Sequence, residues 1–81
     1  MTHQEILATL SDIIRDVLDE PDLKIVESTT ADDVASWDSF SHINIVVATE
    51  GRFKVKFGTA EIENVRNVGE LARLIERKLA K

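Results

Sequence analysis

The chain has 81 residues, of which 43% are hydrophobic and 31% charged, and it contains no cysteine. This composition is typical of a small folded domain, so we expect residues 1–81 to form a single domain without disulfides or thiolate chemistry. The net charge of −5 is uneven, because residues 1–39 carry ten acidic and two basic side chains, whereas residues 40–81 carry five acidic and eight basic ones. The acidic first half disfavours nucleic acid and favours a basic protein partner.

No apolar run approaches the roughly 20 residues that a membrane-spanning helix requires. The first residues also lack the basic region and the small-residue cleavage site of a secretory signal. We therefore expect a cytoplasmic monomer that does not bind membranes.

The first predicted helix runs from about Thr2 to Asp19. Thr2 and Glu5 have the spacing of a capping box, and Pro21 cannot continue a helix. Apolar residues recur in steps of three and four along this segment, which predicts one buried face. They are Ile6, Leu7, Leu10, Ile13, Ile14, Val17 and Leu18.

A long loop is predicted over residues 20–37, where acids, serine and threonine surround a few isolated apolar residues. Leu23, Ile25 and Val26 are expected to attach this loop to the core. Loops of this length are often functional.

Residues 40–57 allow two interpretations. Apolar residues alternate through INIVV and KVKF, which fits a β-hairpin that turns at Glu50-Gly51. The same residues fit a helix that begins at an Asp38 cap and stops at Gly51. Periodicity alone does not distinguish the β-hairpin from the helix.

The end of the chain predicts a further helix that begins at Asn67 and Glu70 and continues to the end. A short helical turn is predicted before it, opening at Gly58-Thr59.

The stretch ASWDSFSH contains the residue types of a catalytic triad in Asp38, Ser39 and His42. On a helix, however, Asp38 would be the cap and could not orient the far nitrogen of His42, and no G-x-S-x-G turn is present. His3 and His42 are isolated and the acids follow no metal-loop spacing, so each histidine is interpreted as an ordinary surface or boundary residue. Neither an enzyme nor a metal site is expected.

The whole arrangement resembles the acyl and peptidyl carrier proteins. The resemblance rests on Asp38-Ser39-Phe40, on EGRF at the end of a second helix, on the KVKF segment and on the final NVGELARLIERKL. It implies an all-α, small four-helix bundle with a long loop between helices 1 and 2 and a short third helix. The region from Phe40 to Glu50 would then be helical, with Phe40, Ile43, Val46 and Val47 packed in the core.

The resemblance also implies a function. Ser39 would carry 4′-phosphopantetheine, added from coenzyme A by a phosphopantetheinyl transferase, and Asp38 would serve as cap and recognition residue. The thiol of that group would hold acyl or aminoacyl cargo as thioesters for activating and transferring enzymes. Trp37, Phe40 and Ile43 are candidate partner-surface residues, although core packing is the alternative for Trp37 and Phe40. Val46, Val47 and Ile62 are candidates for an acyl path, and are first of all core residues.

The second helix of fatty-acid carriers usually resembles an acidic strip, whereas SFSHINIVVATEG holds only Glu50 and is followed by Arg52, Lys54 and Lys56. Charge complementarity guides partner choice. We therefore expect a specialised pathway, such as polyketide, nonribosomal peptide or unusual acyl synthesis, with either the acidic half or the basic Arg52–Lys56 strip as docking surface. The alternative is a helical protein-interaction domain of the same fold that is never modified.

Overall fold

A computed structural model of the chain describes residues 2–80, and these residues form four α-helices. They are α1 (His3–Leu18), α2 (Ser39–Phe53), α3 (Thr59–Glu63) and α4 (Val68–Leu79). The long connection before α2 contains a single 3-10 turn (Ala31–Asp33). α1 packs against both α2 and α4. The all-α, four-helix expectation is therefore confirmed, and the hairpin interpretation of residues 40–57 is wrong.

The predicted ends of α1 are confirmed. The Thr2 hydroxyl accepts a hydrogen bond from the Glu5 N–H at 3.1 Å, and the Glu5 carboxylate accepts one from the Thr2 N–H at 2.8 Å. The helix ends at Asp19, whose left-handed backbone (φ 56°) directs its N–H to the carbonyls of the last turn. Each bond satisfies a backbone group that the helix itself leaves unpaired.

One face of α1 supplies much of the core through Ile6, Leu10, Ile14 and Leu18. α4 contributes Val68, Leu71, Ala72, Leu74 and Ile75, and its first turn is capped by the Asn67 side chain, which accepts the Glu70 N–H at 2.8 Å. This is the start that the sequence predicts. The last residue of the predicted helix, Lys81, lies outside the described residues.

The loop between α1 and α2 is fastened to the start of α4 by two backbone bonds. Val68 N–H donates to the Thr29 carbonyl at 2.9 Å, and Gly69 N–H donates to the Glu27 carbonyl at 2.8 Å. A side chain at Gly69 would bring its Cβ within 2.9 Å of the Glu27 Cβ, so this close approach requires glycine. Glu27 and Thr29 thereby fix the path of the loop that leads to Ser39.

The residues that attach this loop to the core differ in part from those predicted. Leu23 and Ile25 are half-buried against the core, as expected, but Val26 is exposed. The deeper anchors are Val34 and Trp37, both of which are buried.

The end of α2 also differs from the sequence-based expectation. Gly51 lies within the helix, which continues to Phe53 and ends at Lys54 in the left-handed conformation (φ 58°). Phe53 is buried, so one further turn places an aromatic ring in the core. Lys54 N–H donates to the Glu50 carbonyl and closes the last turn. The gain from burying Phe53 outweighs the modest cost of a non-glycine residue at the left-handed position.

Candidate modification site at the start of α2

Asp38 caps α2 as predicted. Its Oδ1 accepts the Ser41 N–H at 2.8 Å, and its backbone carbonyl accepts the His42 N–H at 2.9 Å. The hydrogen bond from Ser41 holds the pKa of the Asp38 carboxyl below its usual value. A deprotonated carboxylate at this position also interacts favourably with the positive end of the helix.

Ser39 is the first residue of α2, and its side chain is exposed. Its hydroxyl can therefore be reached by a separate enzyme without any local unfolding. The N-terminus of a helix favours an attached anionic group, because unpaired N–H groups and the helix dipole both point toward it. Ser39 thus fits a hydroxyl that carries a phosphodiester.

An apolar surface follows Ser39 along the outside of α2. Phe40, Ile43 and Val47 are 74%, 61% and 61% exposed, at steps of three and four residues. The prediction that these side chains pack in the core is therefore wrong. The buried residues of α2 are instead Ile45, Thr49 and Phe53. We call Phe40, Ile43 and Val47 the outer face of α2.

Trp37 does not join this outer face. Its side chain is only 9% exposed and belongs to the core cluster, so its prediction as a partner-surface residue is corrected to the core alternative. The indole N–H donates to Nδ1 of His42 at 3.2 Å, and the two rings stack with centroids 6.2 Å apart. Trp37 packs against the start of α2 and exposes too little of its side chain to form a partner surface.

Val46, Val47 and Ile62 line one cavity of about 230 Å³ between α2 and α3. Val46 and Ile62 are half-buried, and Val47 lies at its exposed edge rather than in the core. The remaining lining includes His42, Ile43 and Phe57. The structure therefore brings together the three residues that the sequence offered as an acyl path.

The sequence reasoning missed His42 and Phe57. His42 was interpreted as an ordinary surface or boundary residue, yet its ring accepts a hydrogen bond from a buried tryptophan and lines the cavity. His3 is half-buried and its Nε2 lies 2.8 Å from a Glu27 carboxylate oxygen, which fits its interpretation as a surface or boundary residue.

Two negative findings apply to the described part of the chain. Residues 2–80 contain no group of three or more histidine, aspartate or glutamate side chains arranged to hold a metal ion. None of the helices in this range combines the length and the apolar composition needed to cross a membrane.

Comparison with known proteins identifies the family of the chain. A family model described as "Phosphopantetheine attachment site" matches residues 8–75. The chain is 32% identical over 77 residues to an acyl carrier protein of Rhodococcus erythropolis, covering 94% of this chain and 84% of that one. It is 34% identical over 77 residues to a meromycolate extension acyl carrier protein of Mycolicibacterium smegmatis, covering 94% and 77% of the two chains.

A solved structure shows the same fold. The solution structure of a holo acyl carrier protein from Geobacter metallireducens superposes with a TM-score of 0.86 at 40% sequence identity, covering 91% of this chain and 85% of that one. Fold and site together define a phosphopantetheine-dependent carrier domain. The chain belongs to the acyl carrier protein family.

Membership in this family settles the general role. The protein is a carrier and not a catalyst, and its cofactor is a covalently attached phosphopantetheine. Its general partners are a phosphopantetheinyl transferase and acyl-processing enzymes.

Proposed function

We propose that Ser39 is the residue that carries 4′-phosphopantetheine, and that the protein delivers acyl or aminoacyl groups in a specialised pathway. The observation that carries the assignment is the exposed Ser39 hydroxyl at the first residue of α2, directly after the Asp38 cap. This residue lies within the segment that the attachment-site family model matches.

The proposed attachment is a simple substitution at phosphorus. The Ser39 oxygen forms a bond to the phosphorus that bears pantetheine in coenzyme A, and the pyrophosphate bond breaks. Adenosine 3′,5′-bisphosphate leaves, and the serine proton passes to a base on the transferase. The product is a phosphodiester at the positive end of α2, and the thiol at the far end of the bound group holds cargo as a thioester.

The outer face of α2 is the proposed partner surface. Phe40 is the immediate neighbour of Ser39, and Ile43 and Val47 continue the same face. An enzyme that acts on a group attached to Ser39 must cover this surface, and large apolar side chains at the centre of an interface supply most of its binding energy.

A specialised pathway is supported by the charges of α2. The first turn of the helix contains no acidic residue, and Arg52 lies in its last turn. Lys54 and Lys56 follow the helix and are exposed. A partner that recognises an acidic helix would meet an apolar and partly basic surface here. Because the charges are not complementary, such a partner should bind this protein less well. The Mycolicibacterium smegmatis relative is a meromycolate extension acyl carrier protein, which is consistent with a specialised acyl cargo.

The cavity between α2 and α3 is the proposed path of an acyl chain, with Val46, Val47 and Ile62 as lining residues. Ser39, His42 and Val46 follow one another along α2, and His42 and Val46 line the cavity, so a flexible arm attached at Ser39 can place its cargo there. We further propose that the protein acts as a single-domain monomer in the cytoplasm, where coenzyme A is available.

The test is the intact mass of the protein after incubation with coenzyme A, magnesium and a promiscuous phosphopantetheinyl transferase. We expect the wild type to gain one phosphopantetheine group and Ser39→Ala to gain none. Ser41→Ala is the matched control, because it removes a hydroxyl from the same turn while leaving the backbone N–H that bonds to Asp38. It should be modified like the wild type.

The absence of a mass gain in the wild type would contradict the proposal. If folded wild type gains no mass while a known carrier is labelled in parallel, the Ser39 assignment fails. The unmodified protein-interaction domain then becomes the better description, with the outer face of α2 as its binding surface.

A further inference from the structure

Two further residues continue the outer face of α2 toward its C-terminus. Gly51 follows Val47 by four residues, so it lies on the same side of the helix, and Lys54 follows Gly51 by three. By the rise of an α-helix, Phe40 and Gly51 are about 17 Å apart along its axis. Gly51 and Lys54 are both exposed, at the end of this face that is farthest from Ser39.

The packing of the protein does not require glycine at position 51. A side chain there would place its Cβ in open space, with no contact within 4 Å beyond its own helix, and the φ angle of Gly51 is not positive. Glycine inside a helix is less favourable than alanine, because it loses more conformational freedom on folding. Gly51 therefore weakens α2 and leaves a bare stretch of backbone on an exposed face, open to close approach by another molecule.

Lys54 departs from helix stability in the opposite sense. Its backbone is left-handed (φ 58°), a conformation that glycine adopts more readily than any other residue. Asp19 has the same conformation at the end of α1, but aspartate tolerates it better than lysine does. Alanine at position 51 and glycine at position 54 would both favour folding. The chain has glycine and lysine instead, on the same exposed face.

The positive charge at this end of α2 has little compensation from its surroundings. Glu50 is the only acidic residue of α2, and its carboxylate accepts the Phe57 N–H at 2.8 Å. Arg52 lines a cleft beside two aspartates of α1. Lys54 and Lys56 are exposed, and neither takes part in an ion pair among residues 2–80.

We propose that Gly51, Lys54 and Lys56, the distal patch, form a recognition point for an acidic partner. This partner is a protein segment that packs closely on Gly51 and directs its carboxylates to the two lysines. Its charge is opposite to that of a partner that recognises an acidic helix, and charge complementarity selects it. Because the outer face of α2 is taken as the partner surface, this inference rests on the proposed function.

The distal patch would also determine how a partner lies on α2. A contact at Phe40 alone places a partner near Ser39 but leaves it free to turn about that point. A second contact about 17 Å away fixes its direction along the helix. The partner would then be aligned with α2 when it acts on a group attached at Ser39.

The experiment uses the full-length protein, labelled with nitrogen-15, and two synthetic stapled helical peptides. The acidic peptide has a stripe of leucine and alanine flanked by glutamates, and the basic peptide has lysine in place of each glutamate. Affinity and amide shifts are measured by NMR titration at low and at physiological salt. We expect the acidic peptide to bind about tenfold more tightly than the basic one and to shift the amides of Gly51 and Lys54. Its affinity should fall as salt screens the charges.

Charge variants test the two lysines. Lys54→Glu should weaken binding of the acidic peptide by about tenfold. Lys56→Glu tests the same charge at a residue whose backbone is not left-handed, so the proposal can still be judged if Lys54→Glu is unstable. Lys24→Glu is the matched control, because it makes the same change of charge at an exposed lysine in the loop before α2. Its affinity should equal that of the wild type.

Variants of Gly51 test the close approach. Gly51→Leu fills the open space and should weaken the acidic peptide by about tenfold, whereas Gln4→Leu adds the same side chain to an exposed position of α1 and should not. Gly51→Ala should raise Tm by roughly 4 to 8 °C, because alanine favours the helix. A lower Tm for Gly51→Ala would mean that this glycine serves the fold.

The inference is overturned if the acidic peptide does not bind, if the basic peptide binds equally well, or if Lys24→Glu loses as much affinity as Lys54→Glu. It is also overturned if Gly51→Leu binds like the wild type or if Gly51→Ala lowers Tm. Failure of the proposed function has a different signature, the absence of a mass gain with coenzyme A and a transferase. The titration requires no modification of Ser39, so the two failures are distinguished.

Discussion

Helices α1 and α2 use their apolar residues in opposite ways. In α1 the large apolar residues face the core, and Ile6, Leu10 and Ile14 are fully buried. In α2 the apolar residues are divided, with Ile45 fully buried and Phe40, Ile43 and Val47 largely exposed. Both helices pack on each other, yet only one of them leaves a continuous apolar surface in water.

The difference shows that an apolar residue in α2 is not evidence of a core position. Exposing three large side chains on one helix face has no benefit for folding, and contiguous apolar patches on small proteins commonly mark interaction sites. The outer face begins next to Ser39, the proposed attachment residue. We therefore propose that the inner face of α2 serves stability and that its outer face serves partners.

The largest expected effect is a difference in the free energy of unfolding between a variant of the inner face and a variant of the outer face. Ile45→Ala removes a fully buried side chain and should lower the free energy of unfolding by about 2–5 kcal/mol. Ile43→Ala, two residues away but exposed, should change it by less than about 0.5 kcal/mol. Urea denaturation of the two variants measures both values. Equal losses would show that the division of α2 into two faces is incorrect.

A smaller effect concerns the start of α2. The Ser41 N–H lowers the pKa of Asp38, so the fold favours the charged carboxylate. The resulting stabilisation is fully present above the pKa of the unfolded chain, about 3.9, and is lost as pH falls through the lower pKa of the folded state. Asp38→Asn keeps an oxygen that can accept the Ser41 N–H but does not titrate there. We expect its urea midpoint to fall less than that of the wild type between about pH 5 and pH 3.

Glu5 serves as an internal reference for that measurement, because its pKa is also lowered, by the Thr2 N–H at the start of α1. Glu5→Gln should weaken the acid response in the same way as Asp38→Asn. If Asp38→Asn shows the full wild-type loss while Glu5→Gln does not, the cap of α2 contributes nothing to acid stability.

The sequence predicted the helix starts well, because caps depend on local spacing. Thr2 with Glu5, Asp38, and Asn67 with Glu70 each form the expected side-chain bonds to the backbone. It predicted the core face of α1 for a related reason, since one apolar stripe leaves no choice of orientation. Ser39 could be proposed as the attachment residue only through the resemblance of the whole chain to the carrier proteins, because Asp38-Ser39-Phe40 by itself fits an ordinary helix start.

Other features depend on tertiary structure. The apolar residues of α2 surround much of the helix, so periodicity could not tell that Phe40 faces water and Ile45 the core. Glycine marks a frequent helix end but does not require one, and the burial of Phe53 carried α2 past Gly51. The role of His42 depends on contact with Trp37 and on the position of α3, which no local pattern contains.

The central claim, that the outer face of α2 serves partners, is tested most directly by transferase kinetics. The value of kcat/KM for modification from coenzyme A is measured for wild type, Phe40→Ala and Val26→Ala, the last removing an exposed apolar side chain from the loop before α2. We predict a loss of about tenfold or more for Phe40→Ala, as for a central interface residue, with Val26→Ala and the unfolding midpoints of both variants unchanged. An unaltered kcat/KM for Phe40→Ala, or an equal loss for Val26→Ala, would contradict the claim.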